Sequence, residues 1–291
     1  MHPAPSVIIF TVFSGLGFGL MAWLGMGYPT VTGWTAFWFF TIAYVLAGGG
    51  LIASTFHLGN RKNALKAFTQ WRTSWLSREA WMAVGTMTAM GLFALLAIFF
   101  DTSLIALGMI GAIMALVTVY TTSMMYAQLK TVPRWNHPST SALFLLYAIS
   151  GGAILASQST TAGILLLITA ALQVYVWLAG DGRFAERGHS METATGLGSI
   201  GKVRMYEPPH TGTNYLLHEM VYVVGRKHVQ KLRIIAFVLA FVIPVILLLA
   251  LPASHVSSII ALISHIAGVL AQRWLFFAEA EHVVGLYYGK R

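Results

Sequence analysis

Apolar and polar positions along this chain fall in long blocks, not in a helical or strand period. Eight apolar stretches reach the length of about 20 residues that a spanning helix needs. They are Ser6–Gly27, Gly33–Phe56, Ala80–Phe100, Ser103–Leu129, Ser139–Ala156, Ala162–Gly180, Leu232–Leu251 and Val256–Ala278. Breaks at Tyr28-Pro29, Asp101, Pro133, Ser157–Thr161 and Pro252 punctuate them. Backbone groups in hydrocarbon must be satisfied internally, so the pattern predicts an all-α integral membrane protein. The expected architecture is a bundle of eight transmembrane helices in a single membrane domain, residues 1–291. Gly15 and Gly19 form a small-xxx-small pair, and Gly48, Gly49 and Gly50 thin the second helix; both predict close helix contact. Pro244 predicts a kink in the seventh.

Composition agrees with that reading. Hydrophobic residues make up 57% of the chain and charged residues 9%, against about a quarter charged in a soluble domain. Mean hydropathy is +0.72. Cysteine is absent, which excludes disulfides, thiolate metal sites and cysteine-ligated iron–sulfur clusters on this chain. The opening MHPAPSVIIF has no basic segment and no small-residue cleavage site, so the first apolar run is expected as a retained helix. The net charge of +9 resides in loops between apolar runs. That distribution argues against nucleic acid and for membrane orientation with an acidic partner.

The charges alternate from connection to connection. The second-to-third carries Arg61, Lys62, Lys66, Arg72 and Arg78, the fourth-to-fifth Lys130 and Arg134, and the sixth-to-seventh eight more from Arg183 to Arg233, Arg226 and Lys227 among them. The opposite connections offer little beyond Asp101. The positive-inside rule then sets both termini, with Lys290-Arg291, and the large loops in the cytoplasm of a bacterial inner membrane. Segment 181–231 reads as a long cytoplasmic loop that docks a partner, with Tyr206 and Tyr215 available for contact. Gly196 to Gly201 matches G-x-G-x-x-G, but no strand or βαβ unit surrounds it, so it reads as a flexible turn.

Chemistry concentrates between Ser54 and Glu79. His57 stands at the entrance of this connection and Arg78-Glu79 at its exit. A helical hairpin brings an imidazole and a carboxylate to one membrane face, with Ser77 as the expected cap of the third helix. Reduction of a lipid-soluble quinone needs groups that exchange protons near neutral pH. Histidine does so unaided, and a carboxylate does so where its charge is poorly hydrated. Arg61, Lys62, Lys66, Arg72, Trp71 and Arg134 form the expected docking surface. Arg273 is an ionisable residue within the eighth span, expected to pair with Glu279 or Glu281 or to edge a quinone pocket. Haem b is the rival cofactor, with His265 and either His57 or His218 as ligands. No clear second histidine sits at matching depth, so haem is not expected. A secondary transporter would show paired repeats and charged or broken helices near the midplane; no convincing repeat is present, and ionisable residues gather at one face.

Three groups of residues resemble one family. They are Phe56-His57-Leu58-Gly59, Leu76-Ser77-Arg78-Glu79, and Tyr126 through Thr131-Val132-Pro133-Arg134-Trp135; the eighth helix adds Gly268, Arg273, Phe276, His282 and Gly285. The chain is similar to the membrane anchor subunits of dimethyl sulfoxide reductase over essentially its whole length. The resemblance implies a subunit that is not itself the catalyst. Such an anchor binds an iron–sulfur subunit, reaches a molybdopterin catalytic subunit through it, and exchanges electrons with ubiquinone or menaquinone. It also implies that His57 and Glu79 serve the quinone, with no haem. In that reductase the histidine loop faces the periplasm, whereas here its basic charge sets it in the cytoplasm. That inversion and the segment Pro208-Pro209-His210-Thr211-Gly212 resemble the membrane subunits of cytoplasm-facing sulfite dehydrogenases. Electrons then run from sulfite to quinone; the alternative is a quinol-oxidising anchor of the reductase type.

Overall fold

The computed structural model describes residues 1–57, 59–207, 210–222, 228–252 and 254–290, with the backbone alone at Arg61. Leu58, Pro208, Pro209, Arg226, Lys227 and Arg291, and the side chain of Arg61, therefore lie outside the described residues. Among the described residues, eight helices are long and apolar enough to cross a membrane. They are α1 (Pro5–Gly25), α2 (Gly33–Thr55), α3 (Trp75–Phe99), α4 (Ile105–Ala127), α5 (Pro138–Leu155), α6 (Ser159–Glu186), the seventh span (Val229–Ala250) and the eighth span (His255–Ala278). The described residues contain no strand. Trp38, Val45, Ile113, Leu167 and Leu178 stand exposed on helix faces, as lipid-facing side chains do.

Helix α1 is the hub: 78% of its most apolar window is buried, against 28% for α2. Small residues allow that depth. A Cβ on Gly19 would stand 1.9 Å from the Ala148 carbonyl oxygen of α5, one on Gly17 2.3 Å from the Ala47 nitrogen of α2, and one on Gly50 2.5 Å from the Ser14 nitrogen. Gly15 differs from expectation, since nothing lies within 4 Å of where its Cβ would be. It borders a small void instead.

The boundaries of two spans also differ from expectation. Helix α3 begins at Trp75 with Ser74 as N-cap, so Ser77 is not the cap. Ser77 is buried, and its Oγ accepts the Gln70 N–H at 3.3 Å. Helix α6 runs on to Glu186, so Asp181, Arg183 and Glu186 are helical. Around Pro244 the seventh span widens into π turns, Val238–Val242 and Ile246–Ala250. Pro244 has no N–H for the Ala240 carbonyl. His265 Nδ1, on the eighth span, donates to that oxygen at 2.8 Å, and Ser264 Oγ donates to Leu239 at 2.8 Å.

The connections segregate by charge. None of the 18 Lys and Arg residues lies in the links 26–32, 100–104, 157–158 or 251–254, where Asp101 is the one acid. Among the described residues the other charged side chains gather at or near the other end, called here the charged end.

Candidate functional site

A cleft of about 650 Å³ opens at the charged end among α1, α2, α3 and α4, roofed by the short helix Tyr215–Met220. His57 and Glu79 both line it. His57 follows the end of α2, where its N–H bonds the Ser54 carbonyl at 3.1 Å, and is exposed. Glu79 sits in the second turn of α3 and is 4% exposed. The Thr122 hydroxyl of α4 donates to Glu79 Oε1. The remaining lining is mainly apolar, including Leu51, Phe68, Met87 and Met125.

One wall of the cleft is aromatic. Tyr126 and Trp135 line it, their rings edge to face at 5.3 Å. Trp135 stacks on Phe276 at 5.0 Å, and its Nε1–H donates to the Phe276 carbonyl at 2.9 Å. Offset and edge-on contacts of this kind make a rigid surface. The segment Tyr126 to Trp135 thus acts as a wall, with buried Val132 behind it.

Two arginines expected at the site lie elsewhere. Arg78 donates from Nε to the Trp71 carbonyl at 3.0 Å and from a terminal nitrogen to the Arg72 carbonyl at 2.7 Å. Its guanidinium lies 4.3 Å from the Trp75 ring centroid, so it ties the basic connection to α3 from outside the cleft. Arg273 is 2% exposed and sits behind the aromatic wall, 3.7 Å from the Phe144 centroid and 5.4 Å from that of Tyr147. Glu279, its expected partner, belongs to other cations.

Those cations form a cluster. Arg233 contacts Glu279 at 2.7 Å and Asp181 at 2.6 Å; Arg134 contacts Asp181 at 2.5 Å and Glu279 at 3.1 Å. The four residues tie the link after α4, the end of α6, the start of the seventh span and the end of the eighth. Arg134, expected at a partner surface, is spent here. Arg183 reinforces the cluster by donating to the Arg134 carbonyl at 3.0 Å. Nearby, His137 caps α5 by accepting the Ser139 N–H at 3.2 Å. Partial burial, with the Arg183 and Arg187 charges, holds its pKa below the ordinary histidine value.

His265 lies on the eighth span, outside the lining of the cleft that His57 borders. It is fully buried with Nδ1 committed to Ala240, and the void beside it, about 20 Å³, admits one water and no macrocycle. Lys62, Lys66, Trp71, Arg72, Tyr206 and Tyr215 are exposed at the charged end. Tyr215 does double duty, since it also lines the cleft.

Sequence reasoning did not find Thr122, the aromatic wall as a wall, or the N-terminal segment. Met1 and His2 line the cleft; the Met1 nitrogen donates to the Ala280 carbonyl at 2.8 Å and the His2 N–H to Glu219 at 2.7 Å. The spacing of α1 and of the Tyr215–Met220 segment carries no signal of this meeting.

No solved structure matches the chain. Among characterised proteins it is similar to a sulfite dehydrogenase subunit of Allochromatium vinosum, 32% identical over 331 aligned residues that cover 99% of each chain. The profile of the DMSO reductase anchor subunit (DmsC) family matches residues 1–289. With eight spanning helices and a match over its whole length, this chain belongs to the DmsC family of oxidoreductase membrane anchor subunits.

Proposed function

We propose that this chain is the quinone-reactive anchor of a molybdopterin and iron–sulfur complex that oxidises sulfite in the cytoplasm and passes the electrons to ubiquinone or menaquinone. The observation that carries the reading is the cleft itself, a mainly apolar space with His57 and Glu79 together at the charged end. Its volume lies within the range of roughly 300–1,000 Å³ usual for small-molecule sites, and its few polar groups converge in an apolar lining. A bound quinone supplies an acceptor for two electrons and two protons. Tyr126, Trp135 and Phe68 offer flat faces to hold a ring, and His57 and Glu79 offer proton-carrying groups to its oxygens. The relative from Allochromatium vinosum supports sulfite as the electron source.

Lys62, Lys66, Trp71 and Arg72 share the same end and suit docking of an acidic iron–sulfur subunit. The positive-inside rule puts that end in the cytoplasm. The test is His57→Ala in the assembled complex. Sulfite oxidation with an artificial acceptor is expected to survive while quinone reduction collapses; unchanged quinone turnover would sink the assignment. A reporter fused to the C-terminus tests the orientation, and activity in the periplasm would reverse it.

A further inference from the structure

One side of the cleft lies between two helices that meet along matching stripes. Residues three or four apart on a helix share a face, so Tyr44, Gly48, Leu51 and Thr55 form one stripe of α2. Gly91, Met87, Val84 and Ala80 form its counterpart on α3. Farther from the charged end the two stripes touch. The Tyr44 hydroxyl donates to the Met87 carbonyl and stands 3.0 Å from where a Gly91 Cβ would be. A Gly48 Cβ would lie 3.8 Å from the Met87 methyl. One turn nearer the charged end the stripes leave a gap: Leu51, Thr55, Ala80 and Val84 all line the cleft. Met87 lines it too, as the floor of this seam. Val84 marks where the gap leads. It is 48% exposed and continues the strip of Trp81, Leu92 and Leu95 on the outer face of α3. Counted from Trp75, the start of α3, it lies about 14 Å along the axis at 1.5 Å per residue, within hydrocarbon roughly 30 Å thick. Towards the charged end the short helix Arg61–Phe68 bounds the gap. Its Ala64 and Phe68 line the cleft, and the Phe68 carbonyl accepts the Trp81 Nε1–H at 3.0 Å.

We propose that the seam between α2 and α3 is the passage by which a quinone reaches the cleft from lipid, and that its polyprenyl tail remains there, between Leu51 and Val84, while the ring lies inside. The proposal rests on the quinone reading and adds a site for the part of the ligand that His57 and Glu79 do not touch. A polyprenyl tail is hydrocarbon, and its transfer to water is unfavourable. It therefore does not leave by the mouth, where His57 is exposed at the charged end. The seam offers the opposite surroundings. Leu51, Val84 and Met87 present apolar side chains that are continuous with the cleft on one side and with lipid on the other. Ala80, small and only partly buried, leaves room beside them. The Tyr44–Met87 contact keeps the tail from sliding farther along the helix pair.

Val84→Trp tests the passage, because it adds bulk to the seam at a half-exposed position. The assembled complex, in liposomes and driven by sulfite, is given two acceptors: a benzoquinone ring without a tail, and the same ring with a long polyprenyl tail. The ratio of kcat/KM, tailed over tailless, is expected to fall about tenfold or more. Val45→Trp, on the outer face of α2, is the control and should keep the native ratio. A native ratio in Val84→Trp, or an equal fall in Val45→Trp, overturns the passage. Should Val84→Trp fail to assemble, the native complex decides. A quinone with a diazirine on its tail, photolysed in the bilayer, is expected to label segments 51–55 and 80–87. Label confined to Met1, Tyr215 or Glu219 at the mouth overturns the proposal. So does label in the seam that excess unlabelled tailed quinone does not displace, since ordinary lipid then occupies it. Collapse of quinone turnover in His57→Ala beside a native ratio in Val84→Trp removes the passage alone. Intact turnover in His57→Ala removes the quinone reading and the proposal with it.

Discussion

Among the described residues two carboxylates are buried at the charged end of this bundle, and the fold treats them in opposite ways. Glu279, 6% exposed, is gripped by the guanidinium groups of Arg233 and Arg134. Glu79, 4% exposed, receives the Thr122 hydroxyl and faces an open cleft. Burial does not tell the two apart; their partners do. A carboxylate bound by two cations holds four segments in register, and breaking such a pair leaves a stranded charge. A carboxylate bound by one hydroxyl beside a cavity can change its proton occupancy without dismantling the fold.

The largest way to break this contrast is Glu279→Leu, which strands the facing ends of Arg134 and Arg233. We expect a loss of roughly 3–5 kcal/mol, read as a lower thermal midpoint and poor recovery of assembled complex. A midpoint within a degree of the native one would show that the cluster is dispensable. Glu79→Gln keeps the shape and the Thr122 contact, so the thermal midpoint should hold while quinone-linked turnover falls about a hundredfold, roughly 2.7 kcal/mol of transition-state stabilisation. Equal losses of stability at the two sites would erase the distinction. The smallest effect is expected on the exposed surface. Lys66→Ala with Arg72→Ala should alter stability by less than about 0.5 kcal/mol, yet weaken retention of the proposed iron–sulfur partner in a salt-dependent way. Retention that is indifferent to salt and to both substitutions would move the docking surface elsewhere.

How much of this was legible in the sequence depended on whether the signal was local. The apolar runs predicted the eight spans to within a few residues, because hydrocarbon imposes length and composition directly. The same rule misplaced the starts and ends that leave the membrane. Trp75 to Glu79 is helical although polar, and Asp181 to Glu186 is helical, with Asp181 paired to Arg134 and Arg233, distant in sequence. That His57 and Glu79 line one cleft follows the hairpin, which returns its two ends to one face. The position of Arg273 was not legible. A lone arginine in an apolar span advertises a partner, and nothing local shows that Phe144 and Tyr147 receive it while Glu279 goes to other cations. Thr122 was invisible for a plainer reason: threonines are frequent in this chain's helices, and only the fold singles one out. Pro244 was read as a kink. The fold adds a chemical consequence, a carbonyl left for His265 to satisfy.

The lopsided distribution of charge between the two ends of the bundle has a bioenergetic meaning. On the reading proposed here, electrons reach the cleft from a subunit docked at the charged end, and His57 and Glu79 draw their protons from that same end. Both kinds of charge then enter from one aqueous phase and leave together in a neutral, lipid-soluble product. Such turnover is electrically silent: it neither builds a membrane potential nor is opposed by one. The chain would deliver reducing equivalents to the pool at a rate independent of how strongly the membrane is energised, leaving energy conservation to whichever enzyme reoxidises that pool.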